Sequence, residues 1–279
     1  MTTSQQVLFA ALAARFSDAP KATRSEPKID NLAAMAARGS CRAFTDTPVP
    51  NELIKVLCAT AMAAPTKSDL QQRDIILLKN PVIRAKLADL VDSQAWVADV
   101  PMIAVFCGNN RRQRLLHTHK DVPFANDHLD AFFNAVGDAA IALGTFVTAA
   151  EAVGLGTCPI SAVRNNARAV ADLLELPDHV FPFAGLAFGY PADTPVISKR
   201  LPLRVTCHTD RYTEENLMDD IIAYDADRMQ SQPYANIRLQ DVFGESDVYG
   251  WSDDKVRQYS QPERADFGHY IRSIGFKLD

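Results

Sequence analysis

The segment Arg38-Gly39-Ser40-Cys41-Arg42-Ala43-Phe44 places two guanidiniums and a hydroxyl in one short stretch. Alternate residues of an extended chain face the same way, so Arg38, Ser40 and Arg42 can converge on a single anionic ligand. Each charge-assisted hydrogen bond to such a ligand contributes about 1.5–3 kcal/mol. Taken alone, the same residues also fit a solvated arginine pair beside a core phenylalanine. Other chemistries lack their sequence signs. There is no G-x-x-x-x-G-K-[ST], no G-x-S-x-G and no H-E-x-x-H, and Gly154-Leu155-Gly156 lacks the third glycine of the dinucleotide fingerprint. His117, His119, Asp121 and His128 supply no second ordered ligand pair, so no metal site is expected.

The elements that must position the Arg38–Phe44 segment follow from periodicity. Residues 1–15 read as a helix and Ser17–Lys28, with two prolines and mixed charge, as a linker, which makes the extension peripheral. A short helix over Asp30–Ala37 feeds the Arg38 loop, and Pro50 opens a second helix with Leu53, Ile54, Leu57 and Ala61 on one face. The apolar runs Asp74–Lys79 and Met102–Gly108 read as buried strands separated by a helix over Val82–Val91. The longest periodic segment, Asn126–Val153, predicts a central helix ending at Gly154. Thr157–Ile160 and Phe181–Tyr190 follow as strands around a helix over Asn165–Leu174. Leu203–His208 reads as a fifth strand, and Glu214–Met229 as a helix before a polar tail with isolated aromatics. Strands and helices alternate without a regular βαβ rhythm, which favours an α+β layered sheet over a doubly wound one.

Composition excludes several partners. The 279 residues carry a net charge of −5, with 47% hydrophobic and 23% charged residues, an ordinary globular balance. No concentrated basic stripe is present, so nucleic acid is not an expected partner. The one locally basic run, Arg111-Arg112-Gln113-Arg114, reads as a solvated face. The five cysteines are odd in number and contain no C-x-x-C, which fits buried reduced thiols rather than a disulfide framework or a zinc site. Val7–Ala14 is apolar but lacks a basic leader and falls short of the roughly 20 residues of a membrane span. A cytoplasmic protein with no membrane partner is expected.

Four segments in order carry a resemblance. Arg38–Phe44 resembles the R/H-x-S-x-R/K-x-F motif of the nitroreductase superfamily, and Ala64-Pro-Thr-Lys-Ser-Asp-Leu-Gln71 resembles its A-P-[ST]-x-x-N-x-Q loop. Gly154-Leu-Gly-Thr-Cys-Pro-Ile-Ser-Ala-Val-Arg-Asn-Asn166 is similar to its G-L-G…P-I-x-x-[VL]-R-N-N segment. Leu186–Pro191 followed by Lys199-Arg-Leu-Pro202 is similar to its G-x-P…[KP]-R-L-P close. The likeness spans about residues 30–215 and is nearest the NADPH-preferring, oxygen-insensitive nitroreductase and flavin reductase subfamily.

The resemblance implies an α+β fold with a mixed or antiparallel sheet flanked by helices. It also implies a homodimer that exchanges C-terminal segments, and an FMN cofactor reduced by NADPH or NADH. The implied division is an N-terminal extension over 1–28, an FMN-binding domain over 29–212 and an arm over 213–279 that packs on the partner. Arg38, Gly39, Ser40 and Arg42 would meet the FMN phosphate and the pyrimidine edge of the ring, with Lys199 and Arg200 completing the phosphate clamp. Thr66, Lys67, Ser68 and Gln94 would bond the ribityl chain and ring edge. Pro159, Ile160, Ser161 and Ala162 would pass beneath the ring, with a backbone N–H near Ser161 aimed at the flavin. No catalytic side chain is required, because the flavin carries the chemistry and the protein supplies binding and orientation.

The implied activity is ping-pong reduction of small nitroaromatic, quinone or flavin acceptors. Alternatives on this fold are an enoate reductase, a dehalogenase, a flavin-fragmenting enzyme or a flavin-binding protein without turnover. The chain departs from the subfamily pattern at Gly39, at Ser161-Ala162, at Asp69 and at Ser198-Lys199-Arg200, where the lysine is offset by one position. The tail near Gly244–Val256 also lacks a paired arginine, leaving NADPH and NADH both open as donors.

Overall fold

The computed structural model describes residues 3–20, 29–91 and 95–279. In chain order the elements are α1 (Ser4–Arg15), α2 (Ile29–Ala37), α3 (Asn51–Met62), β1 (Arg73–Leu78), α4 (Pro81–Leu90), β2 (Met102–Asn109), α5 (Arg111–His119) and α6 (Leu129–Ala152). They continue with β3 (Gly156–Ile160), α7 (Ala167–Leu173), β4 (Val180–Gly189), α8 (Leu203–Thr206), α9 (Leu217–Ser231), α10 (Gln240–Phe243), α11 (Trp251–Tyr259) and α12 (Phe267–Ser273). Two compact units result: Met1–Gly39 with Val196–Glu263, and Ser40–Pro195 with Arg264–Asp279. These borders do not coincide with 28/29 and 212/213. α1 groups with the later helices, and the last segment of the chain groups with the sheet.

The larger unit is an antiparallel four-stranded sheet in the order β1-β2-β4-β3. Its central strand β2 is buried almost throughout because both faces are covered. Ile103, Val105 and Cys107 enter one core with Leu78, Leu87, Ile160 and Val170. Ala104 and Phe106 enter the other with Ile54, Leu57, Phe146 and Phe188. Alternation along one strand thus sorts side chains into two layers. Phe106, Phe146 and Phe188 meet edge to face, with centroids 5.8 and 5.1 Å apart. A third cluster closes the end of the unit, where Tyr270, Ile271, Ile274 and Phe276 bury against Ala135, Ala167 and Phe181.

α6 is long and apolar enough to cross a membrane, yet its Ala135, Ala139, Ala142 and Phe146 are fully buried in this unit. It carries Asp138 on that buried face at 1% exposure. The carboxylate accepts from the Lys67 N–H at 2.9 Å and the Gln72 N–H at 2.8 Å, and lies 3.9 Å from the Arg73 guanidinium. Arg73 in turn donates to the Met62 and Ala64 carbonyls at 2.7 and 2.9 Å. One acid on a helix therefore fixes both ends of the loop over 67–72. Within that loop Ser68, Asp69 and Gln71 all take left-handed backbone angles, φ 48°, 57° and 52°. The Arg111–Arg114 run lies in α5 and is not simply solvated. Arg112 pairs with Asp74 at 2.7 Å and donates to the Gln71 and Arg73 carbonyls, while Arg114 pairs with Asp127 at 2.5 Å.

In the smaller unit the segment expected as a fifth strand is instead the short helix α8. Pro202 precedes it, and the Asp18 carboxylate accepts from the Leu203 and Arg204 N–H groups at 2.6 and 2.9 Å. A side chain from far upstream thus caps the turn, a signal that local β-propensity could not reveal. Asp18 is held below the usual carboxylate value: partial burial opposes this, and the main-chain donors of Arg204 and Leu203 with the Arg204 charge outweigh it. The tail is more helical than expected, with α10, α11 and α12. Its aromatics pack on one another, Tyr224 against Trp251 at 5.6 Å and Tyr234 against Tyr249 at 5.9 Å. Of the expected linker, residues 21–28 lie outside the described residues, as does Gln94.

Replacing Phe276, which is 2% exposed, with alanine should lower the stability of the sheet unit by about 3–5 kcal/mol. A denaturant midpoint that stays put would show that the C-terminal segment is not part of this core. Asp138→Ala should cost about 3–5 kcal/mol, because it strands the buried Arg73 and the buried Gln72 N–H. Hydrogen exchange at Lys67 and Gln72 should rise with it, and unchanged exchange there would place the brace elsewhere.

Candidate functional site

In the sheet unit, residues 40–45 are stitched beside the outer strand. Ser40 pairs with Thr157 in an isolated parallel bridge, and the Cys41 N–H donates to the Thr157 carbonyl at 2.9 Å. Further on, Phe44 bridges Pro191, the Thr45 N–H reaches the Tyr190 carbonyl at 2.8 Å, and the Ala192 N–H reaches the Ala43 carbonyl at 3.0 Å. Thr157 itself is fully buried and donates through its hydroxyl to Glu151 at 2.6 Å. The Cys41 side chain is buried on Gly156, where an added Cβ would sit 2.6 Å from the sulfur. Glycine is required there because the Cys41 side chain occupies the space a Cβ would take. With Cys41 directed inward, Ser40 and Arg42 are both exposed, as the alternation predicts.

β3 leads directly into the 3-10 turn Ser161–Arg164. Pro159 and Ser161 are exposed, whereas Ile160 and Ala162 are 1% and 3% exposed. Gly185 makes room for this turn, since a Cβ there would lie 3.1 Å from Val163 and 3.3 Å from Ile160. The Arg164 guanidinium donates to the Phe183 carbonyl and fixes the far end. Ser161 opens the turn, where a backbone N–H has no acceptor within the helix. The structure thus brings Ser40, Arg42 and residues 159–162 to one edge of the sheet. Thr66, Lys67 and Ser68 are held separately, by Asp138 on α6. Lys67 and Ser68 are exposed and Thr66 is half-buried.

The basic residues of the smaller unit converge on a residue the sequence reading left out. Arg15, the last residue of α1 and 9% exposed, donates to the Ser198 carbonyl at 3.1 Å, the Ala36 carbonyl at 3.0 Å and the Arg38 carbonyl at 2.6 Å. Its own carbonyl accepts from the Arg200 N–H at 2.7 Å. The Arg38 and Arg200 loops, far apart in sequence, are therefore tied to one guanidinium. Burial first, then the charges of Arg200 and Arg38, hold Arg15 below the usual arginine value, so the three cations share one neighbourhood.

Arg38 is half-buried, Gly39 buried and Arg200 exposed. Lys199 has partners within its own unit. Its ammonium pairs with Asp227, and its N–H donates to Gln232 at 3.1 Å. A cavity of about 750 Å³ opens beside this cluster, lined by Arg15, Arg200, Arg228 and Lys255 with Tyr224, Tyr234 and Trp251. Cations with aromatic walls suit an anionic or aromatic ligand. Two sequence signals for the missed residues exist in retrospect: Arg15 is the one charged residue of α1, and Asp138 is an acid at a core position of an apolar helix.

The model of the nitroreductase family matches residues 35–190, and that of the nitroreductase family C-terminal domain matches residues 198–279. An FMN reductase [NAD(P)H] of Bacillus subtilis is 33% identical over 245 residues, covering 86% of this chain and 95% of that protein. An oxygen-insensitive NADPH nitroreductase of Salmonella typhimurium is 35% identical over 173 residues, covering 62% and 70%. The solved structure of the NADPH:FMN oxidoreductase from Vibrio harveyi complexed with NAD+ superposes with a TM-score of 0.75 at 29% identity, covering 88% of this chain and 97% of that one. The antiparallel sheet with its flanking helices and this match over more than half of the sequence agree: the chain belongs to the nitroreductase family.

Proposed function

We propose that this chain is an FMN-dependent NAD(P)H oxidoreductase that reduces small flavin, nitroaromatic or quinone acceptors as a homodimer. The observation that carries the reading is the convergence of the Arg38 and Arg200 loops on Arg15. Three guanidiniums in one neighbourhood repel one another, and a dianionic phosphate relieves that repulsion through charge-assisted bonds. The donor set therefore fits the phosphate of FMN. Arg38 and Arg200 would hold that phosphate, while Lys199, engaged with Asp227, would contribute long-range charge. The named relatives, an FMN reductase and an NADPH nitroreductase, support the same assignment.

FMN held here would supply two-electron transfer between NAD(P)H and the acceptor. This chain's residues supply the surroundings. Pro159 and Ser161, exposed over the buried Ile160 and Ala162, offer a flat support for an aromatic ring. Ser40 and Arg42 face outward from a segment whose backbone is locked to Thr157 and Tyr190, so Arg42 offers a fixed positive charge to negative charge gathering on that ring. Thr66, Lys67 and Ser68 present donors on the loop held by Asp138, and Gln94 is retained from the resemblance. One open face serving donor and acceptor in turn gives a ping-pong order.

The α6 surface supports the dimer: Phe133 is 68% exposed, Ile141 43%, and Gly137 and Gly144 meet nothing where a Cβ would stand. Small residues beside exposed apolar ones allow a second helix to approach closely. The five cysteines are free, which suits the reducing cytoplasm.

The purified protein should be yellow and release FMN on denaturation, identified by chromatography of the supernatant. Stoichiometric FAD, or no flavin uptake on reconstitution, would overturn the reading. Arg42→Ala at saturating FMN should lower the flavin midpoint potential and slow reduction by NADPH and by NADH in stopped flow. A tenfold slower step corresponds to about 1.4 kcal/mol, and an unchanged potential together with an unchanged rate would make Arg42 structural.

A further inference from the structure

α1 lies upstream of the segment that resembles the family, yet its C-terminal end is bonded to both sides of Arg200. Before it, the Arg15 guanidinium holds the Ser198 carbonyl, and at it the Arg15 carbonyl takes the Arg200 N–H. After it, Asp18 takes the Leu203 and Arg204 N–H groups and lies 3.4 Å from the Arg204 guanidinium. The same Arg15 side chain holds the Ala36 carbonyl at the end of α2 and the Arg38 carbonyl of the loop that follows. From these bonds we infer that the N-terminal helix is a working part of the phosphate site, with Arg15 as the positioning residue that keeps the Arg38 and Arg200 loops together.

Arg38 and Arg200 carry like charges and sit on loops remote in sequence, so nothing in the covalent chain keeps them close. A planar guanidinium presents five donors in a rigid fork, and here the fork spans three carbonyls, at the end of α2 and in the two loops. Lysine carries the charge but not the fork, so it cannot replace those bonds together. An ordered pair of cations binds a phosphate better than a loose pair because the cost of bringing the charges together is met on folding rather than on binding. Arg15 and Arg200 also line a second cavity of about 470 Å³, beside Phe9 and Phe16.

The inference rests on the FMN reading, and the test separates the two by comparing FMN with riboflavin, which lacks the phosphate. Full-length apoprotein is titrated with each flavin by fluorescence quenching, in wild type, Arg15→Met and Arg15→Lys. Wild type should bind FMN at least a hundredfold more tightly than riboflavin, and equal affinity would overturn the function reading itself. Given that preference, Arg15→Met should lose tenfold or more in FMN affinity with riboflavin affinity within twofold of wild type. Arg15→Lys should lose nearly as much.

A variant that weakens both flavins equally would make Arg15 a general structural residue and overturn the positioning role. Full FMN affinity in Arg15→Lys would overturn the bridging argument. Should Arg15→Met fail to fold, Arg15→Lys and Asp18→Asn read the same phosphate preference. The Asp18 variant should lose three- to tenfold for FMN alone, and an undiminished preference in both would sink the proposal.

Discussion

The constraint on which the sheet unit depends is the complete burial of β2. A strand covered on both faces can expose no polar side chain along its length, so its backbone must be paired on both sides and its side chains must divide between two cores. β1 and β4 supply the pairing, α3 and α6 cover one face, and α4 and α7 cover the other. The outer edge of β3 is left for the segment at Ser40, whose outward residues are then free to meet a ligand. The candidate ring support is thus a consequence of how the core closes, with Gly156 marking where the strand meets the Cys41 side chain and Gly185 where it meets a packed turn.

Two buried charges play the corresponding part at the polar sites. Asp138 holds a loop whose left-handed residues would otherwise unwind, and Arg15 holds two loops that would otherwise drift apart. Each is nearly surrounded by main-chain partners. Buried polar groups satisfied in this way define one conformation, and the backbone angles at Ser68, Asp69 and Gln71 show the local strain that such a brace can hold.

Much of the fold was legible because long-range packing left a local pattern. Four strands and the long helix α6 follow from apolar runs and 3.6-residue periodicity, and their observed limits lie within a few residues of the predicted ones. The alternation at Ser40, Cys41 and Arg42 was equally readable, since extended backbone has a period of two. What local pattern could not convey was partnership across long sequence distances. Leu203–Thr206 has the composition of a strand but is a helix because Asp18 caps it. Lys199 looks like a free basic residue but is taken by Asp227. Arg15 ends an apolar helix that reads as an appendage, and its partners are carbonyls, which leave no trace in side-chain identity. The tail aromatics read as isolated in the sequence, whereas Tyr224 and Tyr249 are buried among their own neighbours.

The span between Arg15 and Ser198 is 183 residues, and between Asp18 and Arg204 it is 186. During synthesis α1 emerges well before its partners at Ser198 and Arg204 exist, and those bonds must wait for the intervening residues. At roughly 5–20 residues per second that delay is on the order of 10–40 seconds, during which α1 can pack on α2 but Arg15 and Asp18 lack their later partners. The two parts of the chain thus mature on different schedules: β1 to β4 can assemble from contiguous nascent sequence, while the loops at Arg38 and Arg200 come together only once the later of them has been made.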